Sequence, residues 1–209
     1  MSKITPSAPP LDKLFSNETT SANQKLLNAC KEGDLDLARL ALDSGADANH
    51  SFEGISCLIW ASSRDYYEIV ELLIERGVDV NADTDHSSKA LVQAACFERE
   101  DILKLLIRNG ARLNDKDEYG CTALLFAASK NRLKSVKILV ENGANVNIGS
   151  NKNMTPLMHA VKYSNIEMTK ILMRAGANPN AVTSSGQTVW TILGKYGCNQ
   201  LKCILHTKY

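Results

Sequence analysis

An all-α solenoid of stacked helix–turn–helix units is the fold that this 209-residue sequence predicts, and three observations predict it. A glycine-led pentad recurs as GADAN at Gly45, GVDVN at Gly77, GARLN at Gly110, GANVN at Gly143 and GANPN at Gly176. Successive glycines stand 32, 33, 33 and 33 residues apart, and a fixed period of this size means stacked supersecondary units. Between pentads, apolar residues recur at helical spacing in two short runs separated by a polar turn.

The clearest unit is Asp117 to Asn147, DEYGCTALLFAASKNRLKSVKILVENGANVN. Thr122 is placed to cap a first helix carrying Ala123, Leu124, Ala127 and Ala128, residues small enough for close packing. A tight turn is expected at Lys130 to Arg132. The second helix then buries Leu133, Val136, Leu139 and Val140, with Lys134, Lys137 and Glu141 on its solvated side. Gly143 stops that helix as a left-handed C-terminal cap.

These residues, with Thr155, Pro156, Leu157 and Ala160 and the five pentads, resemble the ankyrin repeat, whose period is 33 residues and whose signature is of the TPLH type. The resemblance covers residues 21–209 and implies hairpin or loop tips between units. It also implies a protein partner held on the concave face made by those tips and the first helices. One cooperative domain is expected, with units at about 21–49, 50–82, 83–115, 116–148, 149–181 and 182–209.

Residues 1–20, rich in Ser, Thr, Pro and Asn, read as a disordered tail whose only anchors are Leu11, Leu14 and Phe15. Pro6 to Pro9 spell PSAP, similar to a tetrapeptide that recruits a membrane-budding adaptor; a plain spacer is the stronger reading. Ser21 with Gln24 forms a capping-box pattern that starts ordered structure near Ala22. The first unit lacks a preceding hairpin, and Lys25, Asn28, Lys31, Asp36 and Arg39 suit a polar outer cap. In the second unit Cys57 stands at the family's proline, and Trp60 reads as core. In the third, Ser87 and Lys89 replace the hairpin glycine and the capping threonine, so the finger DTDHSSK is expected to be irregular and mobile. The fifth carries Met158 at the family's histidine and His159 at its leucine, read as a satisfied, partly buried imidazole. The sixth ends in a capping helix at about Asn199 to His206.

Composition excludes several classes. With 44% hydrophobic and 22% charged residues the chain is neither disordered nor membrane-spanning in character, and its N-terminus lacks an apolar signal core. Twenty-four Lys and Arg against 23 Asp and Glu give a formal net charge of +1, so no bulk charge points to nucleic acid. The six cysteines show no metal-ligand spacing and read as reduced, mostly core thiols of a cytoplasmic protein.

No nucleophile with its base and no cofactor motif is found: GxSxG, HExxH and GxGxxG are absent from the sequence. DKDEYG at Asp115 begins like a calcium loop, but Tyr119 occupies a ligand position and Phe126 stands where a bidentate Glu is needed. His86 beside Asp83 and Asp85 reads as a solvated tip rather than a metal site. The expectation is therefore no enzyme, metal or cofactor, but a monomeric protein-interaction module. The alternative is the same fold as an effector of an intracellular microbe or virus, acting on a host protein in host cytosol.

Register gives the candidate contact residues: Phe52, His86, Tyr119, Lys152 and Met154 at the tips, and Arg64, Phe97, Lys130, Tyr163 and Tyr196 at the first-helix ends. The latter continue Glu32 as a ladder along the stack, a mixture of aromatic and charged groups typical of interfaces. The other reading is that these rings simply cover neighbouring helices. The family resemblance adds that Asn81, Asn114, Asn147 and Asn180, each eight residues after a leucine, are similar to asparaginyl-hydroxylation sites.

Overall fold

The computed structural model describes residues 11–82, 89–196 and 199–206, with side-chain surroundings from residue 21 onward and excluding that of Tyr196. Six first helices, α1 (Leu11–Glu32), α3 (Cys57–Arg64), α5 (Ala90–Cys96), α7 (Ala123–Ser129), α9 (Pro156–Lys162) and α11 (Val189–Tyr196), stack in chain order. Six second helices, α2 (Leu35–Asp43), α4 (Tyr67–Glu75), α6 (Glu100–Arg108), α8 (Leu133–Glu141), α10 (Ile166–Arg174) and α12 (Asn199–His206), form the other layer.

One contiguous core runs the length of the stack between the layers. Alanines such as Ala61, Ala94, Ala127 and Ala160 are fully buried where first helices meet, whereas Leu72, Leu73, Leu103 and Leu106 fill the second layer. Small contacts bring the first helices closer together than the second, so the stack curves towards the first-helix side. That side is the inner face.

The first helix corrects the expected boundary. It begins at Leu11, ten residues before the Ser21 cap, and residues 11–20 are helical rather than a disordered tail. The reason is local: after Pro9 and Pro10 neither Pro nor Gly interrupts the chain until Gly33, so nothing stops a helix from propagating back to the prolines. Residues 1–10, with PSAP, lie outside the described residues.

The unit from Asp117 to Asn147 forms as read, with one refinement. Thr122 Oγ1 accepts from the Leu125 amide at 3.2 Å, and Gly143 has φ +88 with Ala144 N–H reaching back to Leu139 C=O at 3.0 Å. In α8, however, Ser135 and Ile138 are buried along with Val136 and Leu139, while Leu133 and Val140 are only half-buried. Two flanking neighbours, one on each side of the stack, widen the buried stripe beyond a single helical face.

The second unit has a true hairpin, β1 (Ser51–Phe52) paired antiparallel with β2 (Ile55–Ser56). Its two-residue turn, Glu53 and Gly54, has φ of 51 and 73, the positive values that a tight hairpin demands. Lys89 caps α5 without a side-chain bond; its ammonium instead pairs with Asp115 Oδ2 at 2.7 Å. The finger at 83–88, including His86, lies outside the described residues.

Two further readings are adjusted. Cys30 and Cys57 are buried and hydrogen-bonded to one another, which pushes the Cys30 thiol pKa up, but Cys96 and Cys121 are half-buried and Cys203 is exposed. Trp60 is half-buried, its indole N–H sheltered and without a partner among the described residues, and Lys31 and Arg64 cover its ring from the inner face, at 5.2 and 5.0 Å from the ring centre.

Candidate functional site: the inner face

Four of the first helices, α3, α5, α7 and α9, end against a non-glycine residue in left-handed conformation: Asp65, Glu98, Asn131 and Ser164 have φ of 71, 58, 57 and 52, again 33 residues apart. Each such residue costs about 1 kcal/mol in isolation. The turn they make exposes the last first-helix residues on the inner face. Phe97, Lys130 and Tyr163 occupy the same capping position of α5, α7 and α9.

The free carbonyls at these ends are satisfied from the next unit. Arg64 Nη1 donates to Lys31 C=O, Arg99 Nε to Ser63 C=O at 3.3 Å, Arg132 Nε to Cys96 C=O at 3.0 Å, and Tyr163 Oη to Ser129 C=O at 2.8 Å. Helix ends leave such acceptors unpaired, and here they become ties between units. This series was not visible in the sequence, since the donors are of two residue types at two register positions.

A second series runs through the pentads. Asn49, Asn81, Asn114 and Asn147 each accept, through Oδ1, the amide of the following pentad's third residue at 2.8 Å. Asn81 and Asn147 also donate to the next pentad glycine, Gly110 and Gly176, at 3.0 Å. These asparagines are therefore structural links between units.

Of the expected contact residues, the structure brings Arg64, Phe97, Lys130 and Tyr163 onto the first-helix ends and Phe52, Tyr119, Lys152 and Met154 onto the tips. Phe97 is 50% exposed, Tyr119 65%, and Phe52 and Tyr163 46% each. Lys130 and Lys152 are exposed and Met154 is half-buried. Arg64 is not a free contact group: its guanidinium is spent on Trp60 and Lys31. Tyr163 likewise uses its hydroxyl within the stack and offers a ring face only. The backbone of Tyr196 ends α11, and its side chain, like His86, lies outside the description.

The tips of the C-terminal units are joined. Asn151 N–H donates to Tyr119 C=O at 2.8 Å, Asn151 Nδ2 to Glu118 C=O at 2.9 Å, and Ser184 N–H to Lys152 C=O at 3.0 Å. Between the last two tips a cleft of ≈ 460 Å³ is lined by Lys152, Met154, Gln187 and residues 183–185. Asp117 Oδ1 accepts from the Tyr119 and Cys121 amides at 3.0 and 2.6 Å, which holds the tip of the fourth unit in a tight turn.

His159 in α9 is half-buried, with Nδ1 sheltered and without a partner among the described residues, so the imidazole is not satisfied as expected. Burial, with the Lys162 charge second, lowers its pKa to about 4. A neutral ring results at neutral pH. The Cys96 thiol is pushed up to about 11 by burial, against the opposing pull of Lys130 and Arg132. A thiol so protonated is a poor nucleophile.

A curved two-layer stack with a period of 33 and capped tips defines a repeat scaffold. The chain belongs to the ankyrin-repeat family: the family model of ankyrin repeats (3 copies) matches residues 26–117 and again 91–183. It is also 35% identical over 78 residues to the E3 ubiquitin-protein ligase XBAT32 of Arabidopsis thaliana. That match takes in 36% of this chain and 15% of that protein, so the ligase's activity stays with the longer protein. Ankyrin repeats are generally protein-interaction modules and generally non-catalytic. Among the described residues no helix is long and apolar enough to cross a membrane.

Proposed function

We propose that this chain is a non-catalytic, monomeric protein-binding module of the cytosol that holds a protein partner on its inner face, without metal or cofactor. The observation that carries the reading is where the exposed aromatic rings fall. Phe52, Phe97, Tyr119 and Tyr163 are 46–65% exposed, and all four lie on tips or first-helix ends. Among the described residues, the large exposed apolar residue on the second-helix side is Leu40 in α2. Rings gathered on one rigid face and withheld from water only by a partner are the composition of a binding hot spot.

The test is affinity capture from cytosol with the wild type and with Phe97→Ala. Phe97 has no polar atom and half its surface is exposed, so truncation should leave the melting temperature within a few degrees. Proteins recovered by the wild type and lost by the variant support the reading. An unchanged set of partners sinks it.

A further inference from the structure

The inner face is electrically uneven, and that unevenness identifies the chemistry of what it binds. The inference rests on the inner-face reading above. On the second-helix side and at the helix–helix turns, opposite charges are matched: Arg76 with Asp43 at 2.8 Å, Lys134 with Glu100 at 2.7 Å and Arg99 with Asp65 at 3.5 Å. At the N-terminal end of the inner face the cations Lys31 and Arg64 lie against Trp60, and Lys31 also against Phe52, with Glu32 and Glu53 close in sequence.

Beyond Phe97 the pattern changes. Lys130, Lys162 and Lys195 stand at the ends of three successive first helices, and Lys152 at the tip beside them; all four are exposed. None has an ion pair among the described residues. A cation at a helix C-terminus is favourable on its own, which accounts for three of them singly. It accounts neither for Lys152 nor for the scarcity of acids in this part of the chain, where the sequence after Glu141 holds Glu167 alone. The positive charge is felt locally, since Lys162 depresses the His159 pKa and Lys130 pulls on Cys96.

Apolar surface is interleaved with this charge. Phe97 and Tyr163 present open ring faces, and Met154 sits in the cleft of ≈ 460 Å³ beside Lys152. We propose that the C-terminal half of the inner face binds an acidic, extended polypeptide segment. Its carboxylates meet Lys130, Lys162 and Lys195, and its intervening apolar side chains cover Phe97, Tyr163 and Met154.

The spacing favours this occupant over nucleic acid. Packed helices lie about 10 Å apart, and an extended chain advances about 3.3 Å per residue, so carboxylates about three residues apart meet successive units. A nucleic-acid strand needs a denser cationic track than one lysine per unit.

The full chain is used to select from an unbiased library of displayed peptides of about twelve residues, alongside a fluorescein-labelled oligothymidine. The expected pool is acidic, with carboxylates about three positions apart. Its binding per folded molecule falls about tenfold or more in the double variant Lys130→Glu, Lys162→Glu, and weakens with added salt. Neutral or basic peptides that are lost with Phe97→Ala overturn the acidic assignment while leaving the inner-face reading intact. Peptides indifferent to both variants overturn the inner-face reading itself. Binding of oligothymidine that disappears on charge reversal, or a selection that enriches nothing, also overturns the proposal.

Discussion

Replacing Tyr163 by Phe and, separately, by Ala separates the two jobs that one side chain performs at the junction of the fourth and fifth units. Its hydroxyl donates to Ser129 C=O at 2.8 Å, and its ring is 46% exposed. Phe removes only the hydrogen bond, worth about 0.5–1 kcal/mol at a partly solvated site. For a chain of this size that is a melting shift of about 1–4 °C. Ala removes in addition the covered half of the ring, about 100 Å², or roughly 2.5 kcal/mol at 25 cal/mol per Å². The total for Ala is about 3 kcal/mol, more than register alone suggested, because a ring counted as an outward contact is also tied to its neighbour. Urea titration of the three proteins supplies the stabilities, and the enriched acidic peptides supply the binding readout. Phe should keep full affinity per folded molecule, and Ala should lose it. Phe as unstable as Ala would show that the ring packs on nothing; Ala with undiminished affinity would remove Tyr163 from the contact surface.

The other predictions use the same stack. Gly120→Ala should destabilise by about 2–4 kcal/mol, since φ is +74 and the new Cβ would come within 2.4 Å of Asn151 Oδ1 and 2.8 Å of its amide nitrogen. Gly143→Ala should cost only about 1–2 kcal/mol, because φ is +88 but nothing lies within 4 Å; equal losses in thermal melts would refute the tip contact. Asn147→Ala removes the acceptor for Asn178 N–H and the donor to Gly176 C=O, for about 1–3 kcal/mol. Faster amide exchange at Asn178 is its signature, and unaltered exchange would break the asparagine ladder at that rung. His159 has its folded pKa lowered from 6.5 to about 4, so the unfolded chain binds the extra proton between those values. Its contribution is intact above pH 6.5 and is lost as pH falls towards 4, by up to about 3 kcal/mol. Comparing pH–stability curves with His159→Phe, the ring type that Phe126 places at the same register, should show the acid-side slope reduced; parallel curves would contradict the lowered pKa.

The repeat itself was legible because 33-residue spacing, the Thr122 and Thr155 caps and Gly143 are local instructions, each satisfied by atoms within a few residues. The inner face was legible too, since register alone puts Phe97, Lys130 and Tyr163 at equivalent positions. The start of α1 was not: composition at residues 11–20 suggested disorder, whereas the missing helix breaker after Pro10 allowed the helix to extend. Nor did the sequence disclose which contact residues are already committed. Arg64 and Tyr163 look like free ladder members until the carbonyls of Lys31 and Ser129 are placed beside them, one unit away in space and about 33 residues away in the chain. The left-handed turns at Asp65, Glu98, Asn131 and Ser164 belong to the same class, being conformations that no local preference strongly favours and that packing of first helix on second imposes. Period, caps and glycine stops follow from short-range sterics and hydrogen bonding, which a sequence writes directly. The division of each side chain between holding the stack and facing a partner depends on which neighbour arrives beside it, and only the tertiary structure decides that.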